Sequence, residues 1–408
     1  MKKFNIILIV IVISVLQVFA TESKDSLSKR GEYTIVPFNV SITSGMSTAR
    51  KKVGDGKVIN YLSLNLFTGK AERLEGAEAG LIYNHYTEEM IGAQWAGIMN
   101  RVDGDTRGLQ HAGIVNVIGG DFFGVQEAGI INRINGSFMG IQGAGIINHV
   151  NGEFSGIQGS GIINHNFQKT TGLQGAGICN IVNGNFKGAQ GSGIFNTVRG
   201  EVVGIQGASI FNQAVSVKGV QAAGIMNIAG TVEKGVQIGL VNVSDENKGV
   251  PIGLVSVVKN YRPRLDLWGD DTRFINAGIR SGSRKFHNLL FAGAQVNDGE
   301  RWTLGWGFGS HFNLAKDVYT ELDVVAQHIN EDREKWTDEV NEVGRIRILF
   351  GYEFTKFTSI YAGPTFNGFV SKLYDGKDFT PWTLKSKYDD EENIWVRSWI
   401  GFTAGLRF

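Results

Sequence analysis

The sequence predicts an all-β protein in two parts: a Gly-rich β-solenoid of 16-residue repeats and an antiparallel, eight-stranded β-barrel of the outer-membrane type. Three observations predict it. Gln94, Gln110, Gln126, Gln142, Gln158, Gln174, Gln190 and Gln206 recur every 16 residues, and the asparagines from Asn84 to Asn212 keep the same step. From Arg273 the chain changes to longer segments in which apolar residues alternate with small or charged ones. Its end places Ile400, Phe402, Ala404, Leu406 and Phe408 on one face of a strand.

The chain opens with Lys2 and Lys3, an apolar run from Ile6 to Leu16, and Val18-Phe19-Ala20, which is the pattern of a signal peptide (residues 1–20) cleaved after Ala20. The run falls short of the roughly 20 apolar residues that span a bilayer. Composition excludes several classes. The 56 glycines do not recur at every third position, so the chain is no collagen, and 42% hydrophobic content with 25 Phe is too apolar for a disordered linker. Forty basic residues against 39 acidic ones give no field that would draw nucleic acid. Cys179 is the sole cysteine, so there is neither a disulfide framework nor a lipid-attachment cysteine at the cleavage point.

The solenoid is expected over residues 58–258. Its unit is clearest in Gly140-Ile141-Gln142-Gly143-Ala144-Gly145-Ile146-Ile147-Asn148-His149-Val150-Asn151-Gly152-Glu153-Phe154-Ser155. Stacked at the strand spacing of about 4.8 Å, such units superpose like on like: Asn and Gln amides form ladders, and Phe122, Phe138 and Phe154 an aromatic stack. A porin built from these repeats is excluded by length, because a transmembrane hairpin needs upwards of roughly 20 residues.

Barrel strands are expected in residues 259–408, near 273–281, 286–296, 302–309, 317–329, 345–352, 358–370 and 395–408. An eighth strand is available at Tyr33–Ile42, where Val36, Phe38, Val40 and Ile42 share a face, within an N-terminal segment 21–57. Eight is an even number that closes a sheet and removes its edges. With the first strand at 33–42, the repeats fall in an external connection, so the expected address is the bacterial outer membrane with the repeats facing the cell exterior. Arg280, Glu321, Asp323, Arg345, Arg347, Glu353 and Arg407 are expected to face the lumen of so small a barrel as an ion-pair core instead of a pore lining.

The Gly-x-Gln-x-Ala-Gly-Ile-x-Asn units, the closing Gly249-Val250-Pro251-Ile252-Gly253-Leu254 and the region after it resemble the surface-repeat-containing family of bacterial envelope proteins. The resemblance implies an exported or surface location and carries no catalytic residues. The last strand looks like the terminal strand of small outer-membrane barrels, which commonly ends in phenylalanine. That implies recognition by the barrel assembly machinery through the strand ending at Phe408.

Few residues point to chemistry. His85, His149 and His165 follow the ladder asparagines, and the last two are rung neighbours close enough to share a metal, but Arg101, Val117, Arg133, Ile181 and Thr197 occupy the same column, as on a freely varying outer face. Trp95, His111 and Glu127 stand where later rungs have glycine and suggest a surface patch. Cys179 shares a column with Ile147 and Ile163 and reads as a small buried hydrophobe. Tyr388-Asp389-Asp390-Glu391-Glu392 reads as a solvated loop that divalent cations could bridge to anionic lipid. No Gly-x-Ser-x-Gly elbow is present. The expected function is therefore a non-enzymatic surface protein with no cofactor, metal or catalytic residue assigned. Its expected partners are outer-membrane lipid and an extracellular ligand or envelope component. A channel and, behind it, a membrane-embedded hydrolase are the rival classes.

Overall fold

The structure, a computed structural model, describes residues 28–296, 301–333, 335–355, 357–373 and 382–408. The expected signal peptide lies outside the described residues. Strands make up 73% of the described residues, in a parallel β-solenoid of about 12 turns and a closed barrel of eight antiparallel strands. Two units divide it, residues 1–193 and 194–408.

The first unit is built of rungs. In the rung that starts at Phe138, a long side, Phe138–Ala144, and a short side, Ile147–Val150, meet at corners where the chain bends. Each residue lies in parallel register on its counterpart 16 positions away, Phe138 on Phe154, Gln142 on Gln158 and Asn148 on Asn164. Phe138, Gln142, Asn148 and Val150 point inward and are at most 1% exposed, whereas Met139 and Ile141 point outward.

Buried amides need partners, and stacking supplies them. Gln142 Nε2 donates back to Gln126 Oε1 at 2.9 Å, whereas Asn148 Nδ2 donates forward to Asn164 Oδ1 at 2.9 Å and also to Gly159 O at 2.7 Å. The two ladders thus run in opposite directions. Phe122, Phe138 and Phe154 stack with ring centroids 5.2 and 5.3 Å apart. Glycine fits tightly in two columns of these rungs. Gly140 has φ +138°, and a Cβ there would lie 1.9 Å from the Gly124 carbonyl oxygen; at Gly145 the Gly129 carbonyl oxygen would be 2.0 Å away.

Tyr33–Thr43 is not a barrel strand. It pairs in parallel with Lys57–Asn65, Val36 with Asn60 and Asn39 with Ser63, as a rung of the solenoid. The face expected for it breaks at Pro37: Val36 is buried, but beyond it the inward residues are Asn39 and Ser41, and Ile42 is 47% exposed. Rung and barrel strand both alternate with period two, so alternation alone cannot separate them. Short antiparallel strands at Lys29–Arg30 and Met46–Ser47 pair with the same strand, and the helix Thr48–Val53, capped by Ser47, follows them. They shield an edge that would otherwise be open to pairing.

The second unit holds the closing rungs, ending at Val255–Val258, and the barrel. The barrel strands are β1 (Arg264–Asp270), β2 (Phe274–Gly282), β3 (Phe286–Gln295), β4 (Trp302–Asn313), β5 (Val318–Asn330), β6 (Asn341–Glu353), β7 (Ser359–Ser371) and β8 (Ile394–Arg407). Each pairs with the next, and β8 pairs with β1, Leu406 opposite Leu267, which closes the ring. The seven strands expected downstream of Arg273 are all present. The eighth is β1, whose alternation is brief and follows directly on the last rung. At the end where β1 begins and β8 stops, the connections are residues 283–285, 314–317 and 354–358; at the other end they are 271–273, 296–301, 331–340 and 372–393.

Outward positions of the barrel are apolar: Leu267, Ile279, Leu304, Leu322, Ile348 and Phe402 are 39% to 56% exposed. Ser281 and Asn288 are polar at outward positions, and the closing rung accounts for them. Asn288 Nδ2 donates to Pro251 O at 2.6 Å and Ser256 Oγ at 2.8 Å, while its Oδ1 accepts from Gly253 N at 3.0 Å. Ser281 Oγ accepts from Ser256 N at 3.0 Å, and Trp306 Nε1 donates to Gly253 O at 2.7 Å. The last rung is therefore bonded to the outer wall of β2, β3 and β4.

Candidate functional site

Strand alternation drives a charged cluster into the barrel interior. Asp266 on β1, Arg280 on β2, Glu321 and Asp323 on β5, Arg347 on β6 and Arg407 on β8 are each at most 2% exposed. Arg407 Nε meets Asp266 Oδ1 at 2.8 Å and its Nη2 meets Glu321 Oε2 at 2.8 Å. Arg280 reaches Asp266 at 3.0 Å and Glu321 at 3.2 Å, and Arg347 reaches Asp323 at 2.7 Å. Three carboxylates face three guanidiniums, so the buried charge is balanced. Nearer the other end of the barrel, Arg345 pairs with Asp270 at 3.1 Å and donates to Thr272 Oγ1 at 2.8 Å.

The residues expected in the lumen thus face the interior, with one exception at the rim, and partners that the sequence reading did not include join them, among them His311, whose Nδ1 lies 2.9 Å from Glu321 Oε1. Glu353 sits at the rim, 3.6 Å from Arg264. Asp266 and His287 escaped the sequence reading: Asp266 lies on the strand it missed, and His287 occurs in the unremarkable run Phe286-His287-Asn288. His287 Nε2 lies 2.9 Å from Asp323 Oδ1. Among the described residues, His287, Glu321 and Asp323 form a group whose potential metal-ligand atoms lie within 4.8 Å of one another. The donor set does not suit a dication, because Arg280 and Arg347 already neutralise these carboxylates and would stand beside the ion.

The solenoid histidines do not converge on a site. The His149 and His165 rings stand edge to face at 5.4 Å, but His149 Nε2 is bonded to Asn151 Oδ1 at 2.9 Å and His165 packs on Phe167 at 4.3 Å. Burial pushes the His149 pKa down. His85 is bonded to Asp103 at 2.9 Å. Cys179 is 3% exposed against Ile163, and burial raises its thiol pKa, as for an inert core side chain. Asp389 forms a turn, its Oδ1 accepting from the backbone N–H groups of Glu391 and Glu392.

A second feature runs along the outer wall of the first unit. Trp95, 42% exposed, and His111, 3.2 Å from Glu127, fill the outward column as the sequence suggested. In later rungs the column is Gly143, Gly159, Gly175 and Gly191, beside exposed Ile157 and Leu173. A shallow trough of about 490 Å³ follows, lined by Ile157, Leu173, Ala189, Gly175, Gly191 and the edges of the ladder glutamines. No protein-family model matches the chain, and no curated protein is similar to it.

Proposed function

We propose that the chain is a non-enzymatic protein of the bacterial outer membrane, a barrel anchor bearing a repeat solenoid with a binding or bracing role in the envelope. The observation that carries this reading is the polarity of the barrel, apolar outside and charged within. A protein barrel in water would waste that exterior; in hydrocarbon the same arrangement leaves no barrel strand edge unpaired and covers the charges of Asp266, Arg280, Glu321, Asp323, Arg347 and Arg407. The interior supports an anchor over a channel, because eight strands enclose room for side chains only and the Arg280, Glu321 and Arg407 cluster occupies it. At the seam, Phe408 N donates to Leu265 O at 2.9 Å and Leu265 N to Phe408 O at 3.0 Å, so the proposed assembly signal also completes the ring.

Sidedness is revised. The exterior expectation rested on Tyr33–Ile42 as first strand, whereas the ring begins at Arg264. Bacterial barrels begin and end in the periplasm and carry their longer loops outside. The closing rungs, which lead into β1, accordingly belong on the periplasmic side, and the partner class becomes a periplasmic or envelope component. Expression of the full chain in a Gram-negative host tests the reading. Expected are outer-membrane fractionation, heat-modifiable migration, a mature N-terminus at Thr21 and no conductance steps in planar bilayers. Recovery in the soluble fraction removes the membrane assignment, and steady conductance steps replace the anchor with a channel.

A further inference from the structure

The glycine columns of the first unit are not equivalent. A Cβ added at Gly140 or Gly145 strikes a carbonyl oxygen, but at Gly143, Gly159, Gly175 and Gly191 it meets nothing within 4 Å. The main chain here accepts from the asparagine ladder, and it does so whatever side chain it carries: Asn132 Nδ2 reaches Gly143 O at 2.6 Å, Asn116 reaches Glu127 O at 2.7 Å and Asn84 reaches Trp95 O at 2.7 Å. Neither the fold nor the ladder requires glycine in this column. The strip is bare of side chains, and it runs beside a ridge of Ile141, Ile157 and Leu173, which are 48% to 52% exposed.

We propose that this wall is a self-association surface, on which a second copy of the chain seats its own Ile141-to-Leu173 ridge in the trough over Gly143 to Gly191. Three features select that partner. The trough and ridge repeat at the rung spacing of about 4.8 Å, and a second solenoid matches that period by construction. The outward residues of the ridge and trough in these rungs, Ile141, Gly143, Ile157, Gly159, Leu173 and Gly175, carry no charge to engage a headgroup or an ionic peptide, and the core of a protein interface is likewise depleted of charge. Exposed aliphatic side chains from Ile98 to Ile178, 37% to 52% exposed and roughly 100 Å² each when fully exposed, offer on the order of 350 Å² besides the bare main chain, on the scale of the small interfaces that bury under roughly 600 Å² per partner. Identical rungs alone would let two walls slide. Trp95, His111 and Glu127 fill the same column at one end, so the ridge cannot advance there and the register is set.

Cysteine substitution in the full-length protein, oxidised with copper phenanthroline in cells before lysis, tests the proposal. Gly159→Cys and Gly175→Cys, placed in the trough, are expected to give covalent dimers, whereas the buried native Cys179 gives none. Gly175→Lys, with open space for its side chain, is expected to leave the unfolding midpoint unchanged and to cut cross-linking through Gly159→Cys at least tenfold. No dimer from either cysteine, or unaltered cross-linking in the lysine variant, overturns self-association. So does a lysine variant of lowered midpoint, which would give the bare column a role in the fold. Binding of monomeric protein to phosphatidylglycerol vesicles, lost in the lysine variant, would assign the wall to lipid instead. These readouts do not depend on where the protein resides, so they stand or fall apart from the outer-membrane reading.

Discussion

At the scale of single residues the solenoid depends on which atoms meet inside it, and Glu78 shows how finely. It stands in the register of the ladder glutamines, opposite Gln94, and is 2% exposed. Burial pushes its carboxyl pKa above the ordinary 4.5, opposed by hydrogen bonds from Gln94, Tyr86 and Asn65. A raised folded-state pKa means that the fold prefers the protonated acid, so the stability it contributes is complete below about pH 4.5 and is lost as pH rises through the folded value. In Glu78→Gln the amide oxygen still accepts from Gln94, the new amide N–H donates to the Tyr86 hydroxyl, and Asn65 Nδ2, which loses this acceptor, keeps Asn84 Oδ1. The variant is expected to be more stable than the wild type at pH 7 by on the order of 1–3 kcal/mol, the usual cost of burying a polar group badly. The gap should close below about pH 4.5. Chemical denaturation at both pH values checks it, and equal stability at pH 7 would show that the carboxylate is fully compensated. Glu78 was legible in the 16-residue register, but a count of glutamines alone passes over it.

At the scale of elements, a rung is the unit that can be removed. Deleting Gly140–Ser155 brings Gly124 beneath Gly156 and leaves each amide ladder continuous, since every column repeats at 16 residues. The shortened protein is expected to express and to resist protease like the parent. Deleting only Gly140–Ile147 moves Asn148 into the place of Gly140, where a Cβ would lie 1.9 Å from the Gly124 carbonyl oxygen, and protease resistance should be lost. Similar resistance of both deletions would show that the rungs are not the folding unit. The rungs were legible because identical residues must superpose, so a spacing of 16 states the register outright. Barrel strands state only a period of two, and that signal needs length. β5 and β6, at 13 residues each, declare themselves, whereas the 7 residues of β1 do not. The longer alternation of Tyr33–Ile42 took its place, although its buried polar positions, Asn39 and Ser41, belong to a solenoid interior. The outward Ser281 and Asn288 were equally opaque, because their reason is the docked rung and no local pattern announces it.

At the scale of the whole molecule, one misplaced strand reverses a topology. Six of the lumen residues were legible from alternation, since Arg280, Glu321, Asp323, Arg345, Arg347 and Arg407 all face inward. The order of strands around the ring decides which end is which, and that order starts at Arg264. Both ends of an even-stranded ring emerge on one side, the side of the connections 283–285, 314–317 and 354–358. The segments 331–340 and 372–393 lie at the opposite end and are the longer ones, as external loops are. An epitope tag inserted beside Asp338 should therefore bind antibody on intact cells. One inserted beside Lys248, in a bend of the closing rungs that precede β1, should bind only after the outer membrane is permeabilised. Because the two sites belong to one unit and are read in the same assay, poor expression cannot mimic the pattern. Labelling of Lys248 and not Asp338 on intact cells would invert the barrel, and labelling of both would remove it from the membrane.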